Sequence, residues 1–585
     1  METAIKLLEQ HNQLLLCDHL KKFPLHHFDN SYLNNLELFL KKMNEIKNLE
    51  EKKEDEYITY LPNYIDINSI YDCKNPENGS IFINMYKKEC ALNELKCLGL
   101  DVIKKNEVAV LFLSGGLGSR LGLNKAKGLL EVTPLLNKTF FQIYFEQIKY
   151  LESFCSFNDK TETLKSSENE NRNYHSINHN EYEVLGRNNN DKDSYNKNNI
   201  YINSSNINNK NNNSFFSQNI NCINSTKPSQ SKDIQNSTIL NNSYGQKKNN
   251  EKVSIHIYIM TSNYTHDKIV KYLEENKFFG LRKENVLIFK QCDNYSTDFD
   301  YNIILSSPNK LLANPAGNGD VFRAIYKNGI IEDMVNKNIK YIQIVSIDNV
   351  LNKIADPVLI GFCSFYRCDI ANKSVKRRED ESMGVFCLRE KKNKENSDKQ
   401  YNPFSVCEYT EIPKYISKNS RLFEYGNICH HMFSFDFLHY IVKNKIYDKM
   451  KLHKITREKE YYDLCLKNKK MNPVVNSFAY CYEYFVFDVF KYAKKILSFE
   501  ISRDKEFIPI KSNYKGDSIL EAQRSLSNLH KSWLINQNFN IIDNEDEKLN
   551  FCEISPLVSY DGTFFFDLPK YKNIYLPYAL DKSSH

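Results

Sequence analysis

Leu113-Ser114-Gly115-Gly116-Leu117-Gly118-Ser119-Arg120-Leu121-Gly122 is the stretch from which the rest of the chain is read. It continues Glu107-Val108-Ala109-Val110-Leu111-Phe112-Leu113, a short apolar run of the kind that forms a buried strand. Four glycines fall within positions 115–122, in a chain with only 18 glycines among 585 residues. Glycine admits φ > 0 and lets backbone amides approach a ligand with no Cβ in the way. Arg120 and Lys127 add two cations to the same loop. The turn therefore suits a polyanion, most simply a nucleotide.

Two common phosphate loops fail against it. A P-loop needs Lys-Ser or Lys-Thr after Gly-x-x-x-x-Gly, and here Lys127 is followed by Gly128. The dinucleotide fingerprint Gly-x-Gly-x-x-Gly, begun at Gly116, ends on Leu121. The segment instead resembles the signature loop of nucleotidyltransferases that make nucleoside-diphosphate sugars. Their pattern is Leu-x-Gly-Gly-x-Gly-Thr-Arg-Leu-Gly and then Pro-Lys-Gly. Ser119 replaces the Thr, and Ala126 replaces the Pro, which removes a fixed φ just before Lys127.

A chain of 585 residues buries a large core and should form more than one domain. Lys and Arg number 79 against 73 Asp and Glu, a net charge of +6 that does not suggest a nucleic-acid partner. No apolar run approaches the ~18 residues of a membrane-spanning helix, so no membrane partner is expected. Met1-Glu2-Thr3-Ala4-Ile5-Lys6 carries an acid and no compact apolar region, against a secretory signal. Fifteen cysteines without Cys-x-x-Cys pairs favour reduced thiols over disulfides or a zinc site, and a cytoplasmic location. His26-His27 and His430-His431 lack partners at metal-ligand spacing and read as surface or packing histidines.

Leu33, Leu36, Phe39 and Leu40, with Lys41 and Lys42 behind them, have helical spacing and predict a helical N-terminal region within residues 1–100. An α/β core is assigned to 101–155 and 253–500. Its first helix runs from Thr139, a plausible N-cap, to about Cys155. Residues 156–252 are dominated by Asn, Ser and Lys, cannot offset their ordering entropy, and read as a disordered insertion. Strands resume at Ser254–Met260, Val286–Phe289 and Ile342–Ile347. Their alternation with helices predicts a parallel or mixed sheet flanked by helices, with ligands at the carboxyl ends of its strands. The glycine loop, Thr261-Ser262, Gln291 and Asp348-Asn349 all follow strands and should converge on one crevice. A helix over Ile519–Trp533 and a strand-like stretch over Phe551–Val558 predict a further substructure in 501–585.

Between about residues 95 and 565 the resemblance sharpens to eukaryotic UDP-N-acetylglucosamine pyrophosphorylases. It is carried, in order, by Tyr258-Ile259-Met260-Thr261-Ser262, Phe278-Phe279-Gly280-Leu281, residues 347–357, Ile360-Gly361-Phe362-Cys363, Glu408-Tyr409-Thr410-Glu411-Ile412, Leu422–Ile428 and Cys552–Leu557. The resemblance implies a Rossmann-like, GT-A-like nucleotidyltransferase core, a small C-terminal β-containing domain, and a monomer or weak homodimer. It implies UTP and N-acetylglucosamine 1-phosphate as substrates. Attack of the sugar phosphate on the α-phosphorus then needs positioning and charge neutralisation rather than a protein nucleophile.

By the same resemblance, Leu113 and the amides of Gly115 and Gly116 hold the nucleotide, while Arg120 and Lys127 neutralise the leaving pyrophosphate. Gln291 reads the uracil edge, and Gly317-Asn318-Gly319 lies under the nucleoside; Asp320 stands where the family has a further glycine. Asp348 follows an apolar strand and is the candidate ligand for Mg²⁺ or Mn²⁺. Gly384, Glu408 and Asn427 are implied at the sugar, and Lys511 at its phosphate. Tyr409, Phe485 and Phe487 are candidates for an acetamide pocket, the two Phe on one face if their segment is a strand; they could equally be core. Two other readings stay open: a UDP-glucose or broad-range UDP-sugar pyrophosphorylase, and a silent nucleotide-sugar binding module. Arg120, Lys127, Asp348 and Lys511 count against the second.

Overall fold

A computed structural model describes residues 2–25, 30–52, 57–60, 63–66, 81–84, 89–118, 121–122, 125–169, 252–378, 381–391, 401–408, 424–464, 466, 473–511 and 518–582. Most of the expected insertion, residues 170–251, thus lies outside the described residues, as does His26-His27.

Val108–Leu113 and His256–Thr261 are buried along their whole length, as parallel strands covered on both faces must be. Because side chains alternate along a strand, the two strands feed two cores. Val108, Val110, Phe112, Ile257 and Ile259 enter one; Ala109, Leu111, Leu113, Tyr258 and Met260 enter the other. Helices Glu89–Lys104, Phe140–Asn169 and Pro357–Tyr366 cover the first face. Val321–Lys327, Ile330–Asn336, Phe435–Lys443 and the N-terminal helices cover the second, the latter through Leu8, Leu16, Leu20, Leu36, Phe39 and Leu40.

The main path of the large sheet runs Asn63–Asp66, Ile81–Asn84, Ile496–Glu500, Ile370–Lys376, Tyr425–Ser434, Tyr341–Ser346, Val108–Leu113, His256–Thr261, Val286–Lys290. Only Tyr425–Ser434 runs against its neighbours on this path, so the sheet is mixed. Residues 57–60, 63–66 and 81–84 add strands to a region read only as helical. These runs are short and rich in β-branched and aromatic residues, a signal easily masked by flanking charge.

Thr139 Oγ1 accepts the Gln142 N–H at 3.2 Å at the start of its helix. The helix continues to Asn169, past the change of composition at Ser156, on residues of ordinary helix propensity. At the other end of the chain, helix Ile519–Asn536 and two parallel two-stranded sheets, Asn540–Ile542 with Asn573–Tyr575 and Cys552–Ile554 with Tyr578–Leu580, enclose a small core of Leu534, Cys552, Ile554, Val558, Ile574 and Leu576. The strand-like stretch over 551–558 is shorter than its pattern, with only 552–554 in a strand.

His430 and His431 lie inside Tyr425–Ser434, and their Nδ1 atoms are 3.3 and 2.7 Å from the side-chain oxygens of Asn352 and Asn372. Burial holds both below the ordinary histidine range, so they are neutral packing groups. The described cysteines are free thiols. Among the described residues no group of three or more His, Cys, Asp or Glu is placed to hold a metal, and no helix is long and apolar enough to cross a membrane.

Candidate active site

Val108–Leu113, His256–Thr261, Val286–Lys290 and Tyr341–Ser346 are mutually parallel, so the segments that follow them leave from one sheet edge. The antiparallel strand Tyr425–Ser434 starts at that edge, because its far end pairs with Tyr341. Ile496–Glu500 runs parallel to Ile370–Lys376 and sends the chain toward Lys511 from the same edge. The glycine loop sits between two neighbours. Strands leading to Ser262 and Gln291 lie on one side, and the strand leading to Asp348 on the other.

On the first side Gln291 is buried, with its N–H donated to Thr261 O at 2.8 Å. Ser262 Oγ donates to Gly115 O at 2.8 Å. A Cβ on Gly115 would overlap the Gln291 amide and force it to move, whereas Gly116 faces open space. The buried Gln291 Oε1 has no hydrogen-bond partner among the described residues. Gly317, at φ 93°, begins the next loop; Cβ atoms at Gly317 and Gly319 would strike the backbones of Tyr484 and Phe485. Asn318 Oδ1 accepts the Val486 N–H at 3.0 Å, and its Nδ2 lies 3.9 Å from Cys429 Sγ.

The loop itself closes as a short clip. Leu117 pairs with Ala126, Gly118 N–H donates to Lys125 O at 2.9 Å, and Lys127 N–H donates to Gly116 O at 3.3 Å. Ala126 has φ −62°, the value a proline would impose, so the turn holds a backbone angle compatible with the proline it replaces. Leu113 ends the strand with its side chain in the core and can offer only its backbone to a ligand.

On the other side Lys127 Nζ lies 3.3 Å from Asp348 Oδ2, and Ser346 Oγ donates to Asp348 Oδ1 at 2.9 Å. Asp348 O accepts the Ile510 N–H at 2.7 Å. Asn349 fastens the same segment twice, donating to Glu506 O at 2.7 Å and accepting from Ile508 N–H at 2.8 Å. Lys511 is thereby brought to Asp348. Burial would raise the Asp348 pKa, but the charges of Lys127 and Lys511 and the hydrogen bonds from Ser346 and Lys127 hold it below the usual carboxylate range. Asp348 is ionised at neutral pH.

Three of the residues expected at the sugar also meet. Asn427 N–H donates to Gly384 O at 2.8 Å, and a Cβ on Gly384 would come within 2.9 Å of Glu408 Oε1. Arg120 and Tyr409 lie outside the described residues. Phe485 and Phe487 do not form a strand: Phe485 is extended and a 3-10 turn begins at Val486. Their rings still lie together, 5.1 Å apart and beside His453. Phe487 is part of the second core, and Phe485 is partly buried against it.

Cys429 was not legible as a site residue. At φ 53° it marks a shift in the pairing of Tyr425–Ser434 with Ile370–Lys376, where Asn427 opposes Ser374 and His431 opposes Asn372. Such irregularities re-aim side chains beside sites. Its N–H donates to Asn427 Oδ1 at 2.9 Å, and burial, with the charges of Asp348 and Glu408, pushes the thiol up to about 12. It is an un-ionised group set among Asn318, Asn427, Glu408 and Asp348. Asn349 was expected at this edge, but its clasp on Glu506 was equally hidden, since 157 residues separate the two.

Compared with known proteins, the chain matches the family described as UTP–glucose-1-phosphate uridylyltransferase over residues 86–162 and 236–566. The chain belongs to that family. Among similar uridylyltransferases, it is 31% identical over 500 residues to a Dictyostelium discoideum protein named "Probable UDP-N-acetylglucosamine pyrophosphorylase", covering 83% of this chain and 81% of the relative. The UDP-N-acetylglucosamine pyrophosphorylase of Saccharomyces cerevisiae is 26% identical over 498 residues, covering 83% and 80%. The crystal structure of the corresponding Trypanosoma brucei enzyme with an inhibitor superposes at a TM-score of 0.59 and 20% identity, covering 96% of this chain and 93% of that one, and shows the shared fold.

Proposed function

We propose that the protein transfers the uridylyl group of UTP to N-acetylglucosamine 1-phosphate, giving UDP-N-acetylglucosamine and pyrophosphate. One observation carries this reading: a single sheet edge sets the buried Gln291 amide on one side of an open glycine loop and the Lys127–Asp348–Lys511 charges on the other. A primary amide matches the donor and acceptor edge of uracil, and Oε1 of Gln291 is left over for it. The relatives named for the acetylated sugar support the choice of acceptor, as does the Phe485–Phe487 pair beside the nucleoside loop.

An ionised oxygen of the sugar phosphate forms the new bond to the α-phosphorus. The bond from that phosphorus to the oxygen bridging to the β-phosphorus breaks, and pyrophosphate leaves with the electron pair. No proton moves, so the site needs cations and alignment. Lys127 is held for this by Gly116 O, and Lys511 by the Asn349 clasp. Asp348 fits a divalent cation, being ionised and partly exposed at a strand end, and magnesium needs few protein ligands. When bound, such an ion supplies positive charge to the phosphates.

The test is pyrophosphate release from UTP with Mg²⁺, comparing N-acetylglucosamine 1-phosphate with glucose 1-phosphate. The proposal expects kcat/KM for the acetylated sugar to be higher by about tenfold or more. The reverse preference would keep the chemistry and overturn the acceptor. No release with either would overturn the enzymatic reading.

A further inference from the structure

Asp320, at the end of the nucleoside loop, is 1% exposed. Its Oδ2 accepts the N–H of Cys292, the residue after Gln291, at 2.6 Å. Its Oδ1 faces Arg323 at 3.5 Å, and the same guanidinium reaches Asp448 at 3.4 Å. Arg323 lies over the Tyr484 ring at 5.1 Å, and Lys42 of the N-terminal helix Asn30–Lys52 lies over the same ring at 4.7 Å. Tyr484 in turn holds the loop by its backbone. Its N–H donates to Ala316 O at 2.7 Å, and its O accepts the Gly319 N–H at 2.8 Å.

We propose that Asp320 is a positioning residue for base recognition: its carboxylate ties the Gln291–Cys292 turn to the Gly317–Asn318–Gly319 loop and so fixes the Gln291 amide at the base. This rests on the uridine-nucleotide reading of the site. A buried ion pair is weak evidence for stability, because desolvation cancels much of the attraction. A buried carboxylate that accepts a backbone N–H is, however, a strong and directional link. Here that link joins the two segments between which a base would lie. A glycine at 320 could not make it.

The test compares wild type, Asp320→Asn and the double variant Asp320→Gly/Arg323→Leu, which leaves no unpaired charge of this pair. Pyrophosphate release is measured with UTP and CTP, direct titration with UMP and CMP, and folding by thermal denaturation. For Asp320→Asn we expect KM for UTP to rise about tenfold, and the preference for uridine over cytidine nucleotides to fall by about the same factor. KM for the sugar phosphate should stay unchanged. A folded Asp320→Asn that keeps wild-type base discrimination would overturn the proposal. If that variant does not fold, the double variant decides on the same readout, and loss of folding in both would show a purely structural pair. Failure of wild type to release pyrophosphate from UTP would instead strike the uridylyl-transfer reading, while the UMP and CMP titrations still report on Asp320.

Discussion

Lys127 and Asp348 face each other with 19% and 22% of their side chains exposed, whereas Asp320 and Arg323, on the other side of the glycine loop, are paired at 8% exposure or less. The first pair keeps about a fifth of its side-chain surface in water, which screens part of its attraction, so less of the fold depends on it. It keeps its charges available for a ligand. The second is dry and joined to hydrogen-bonded backbone, so breaking it leaves a buried charge unmatched. In the proposed reaction, one half of the cleft would meet changing phosphate charge with its cations, and the other would present a prebuilt surface to an unchanging base.

The largest effect should come from the wet half. Lys127→Ala and Asp348→Ala are each expected to lower kcat by about a hundredfold or more, with thermal unfolding nearly unchanged. Near-normal turnover in either would remove that residue from the mechanism, and a collapse of the fold would break the comparison itself.

Asn349 tests the border between the halves, since it is buried yet serves a charged residue. Asn349→Ala strands Glu506 O and Ile508 N–H and should cost about 3 kcal/mol of stability. It should also raise KM for the sugar phosphate more than KM for UTP, because Lys511 loses its clasp. Denaturant melts and steady-state kinetics separate the two.

Lys42 probes the dry half by titration. Burial and the charge of Arg323 lower its pKa from 10.5 to about 8. Between these values the unfolded chain binds more protons than the folded one, so stability rises with pH across that window; below about 8 the penalty is present in full. Wild type should therefore gain about 2 kcal/mol relative to Lys42→Met between pH 8 and 10.5. Parallel pH profiles would show that the ammonium is hydrated.

The smallest effect concerns the loop between the halves. Ala126 already has proline's φ, and the clip's hydrogen bonds come from the Gly118 and Lys127 amides. Ala126→Pro should stabilise by about 0.5–1 kcal/mol, read as a rise in Tm; a fall would mean that the ring does not fit the buried turn.

The wet half was largely legible in the sequence. Apolar runs such as 108–113 and 256–261 announce buried parallel strands, and the residues that follow such strands share an edge by topology alone. Gln291 and Asp348 could be placed without knowing any long-range contact. Beyond Gln291 and the Gly317-Asn318-Gly319 loop, the packing of the dry half was not. Asp320 was visible only as a residue where glycine was expected, and its burial against Cys292 and Arg323 depends on how two loops pack. The left-handed Cys429 carries no local signal, because cysteine has no preference for that conformation. Phe485 and Phe487 share a side through a turn rather than a strand, which period-two spacing cannot distinguish.

Titration of UMP into wild type, Lys127→Ala and Asp320→Asn tests the division most directly, since UMP carries the base without the leaving pyrophosphate. The account predicts that Lys127→Ala binds UMP within about twofold of wild type, while Asp320→Asn binds it about tenfold more weakly. The opposite ranking would contradict it.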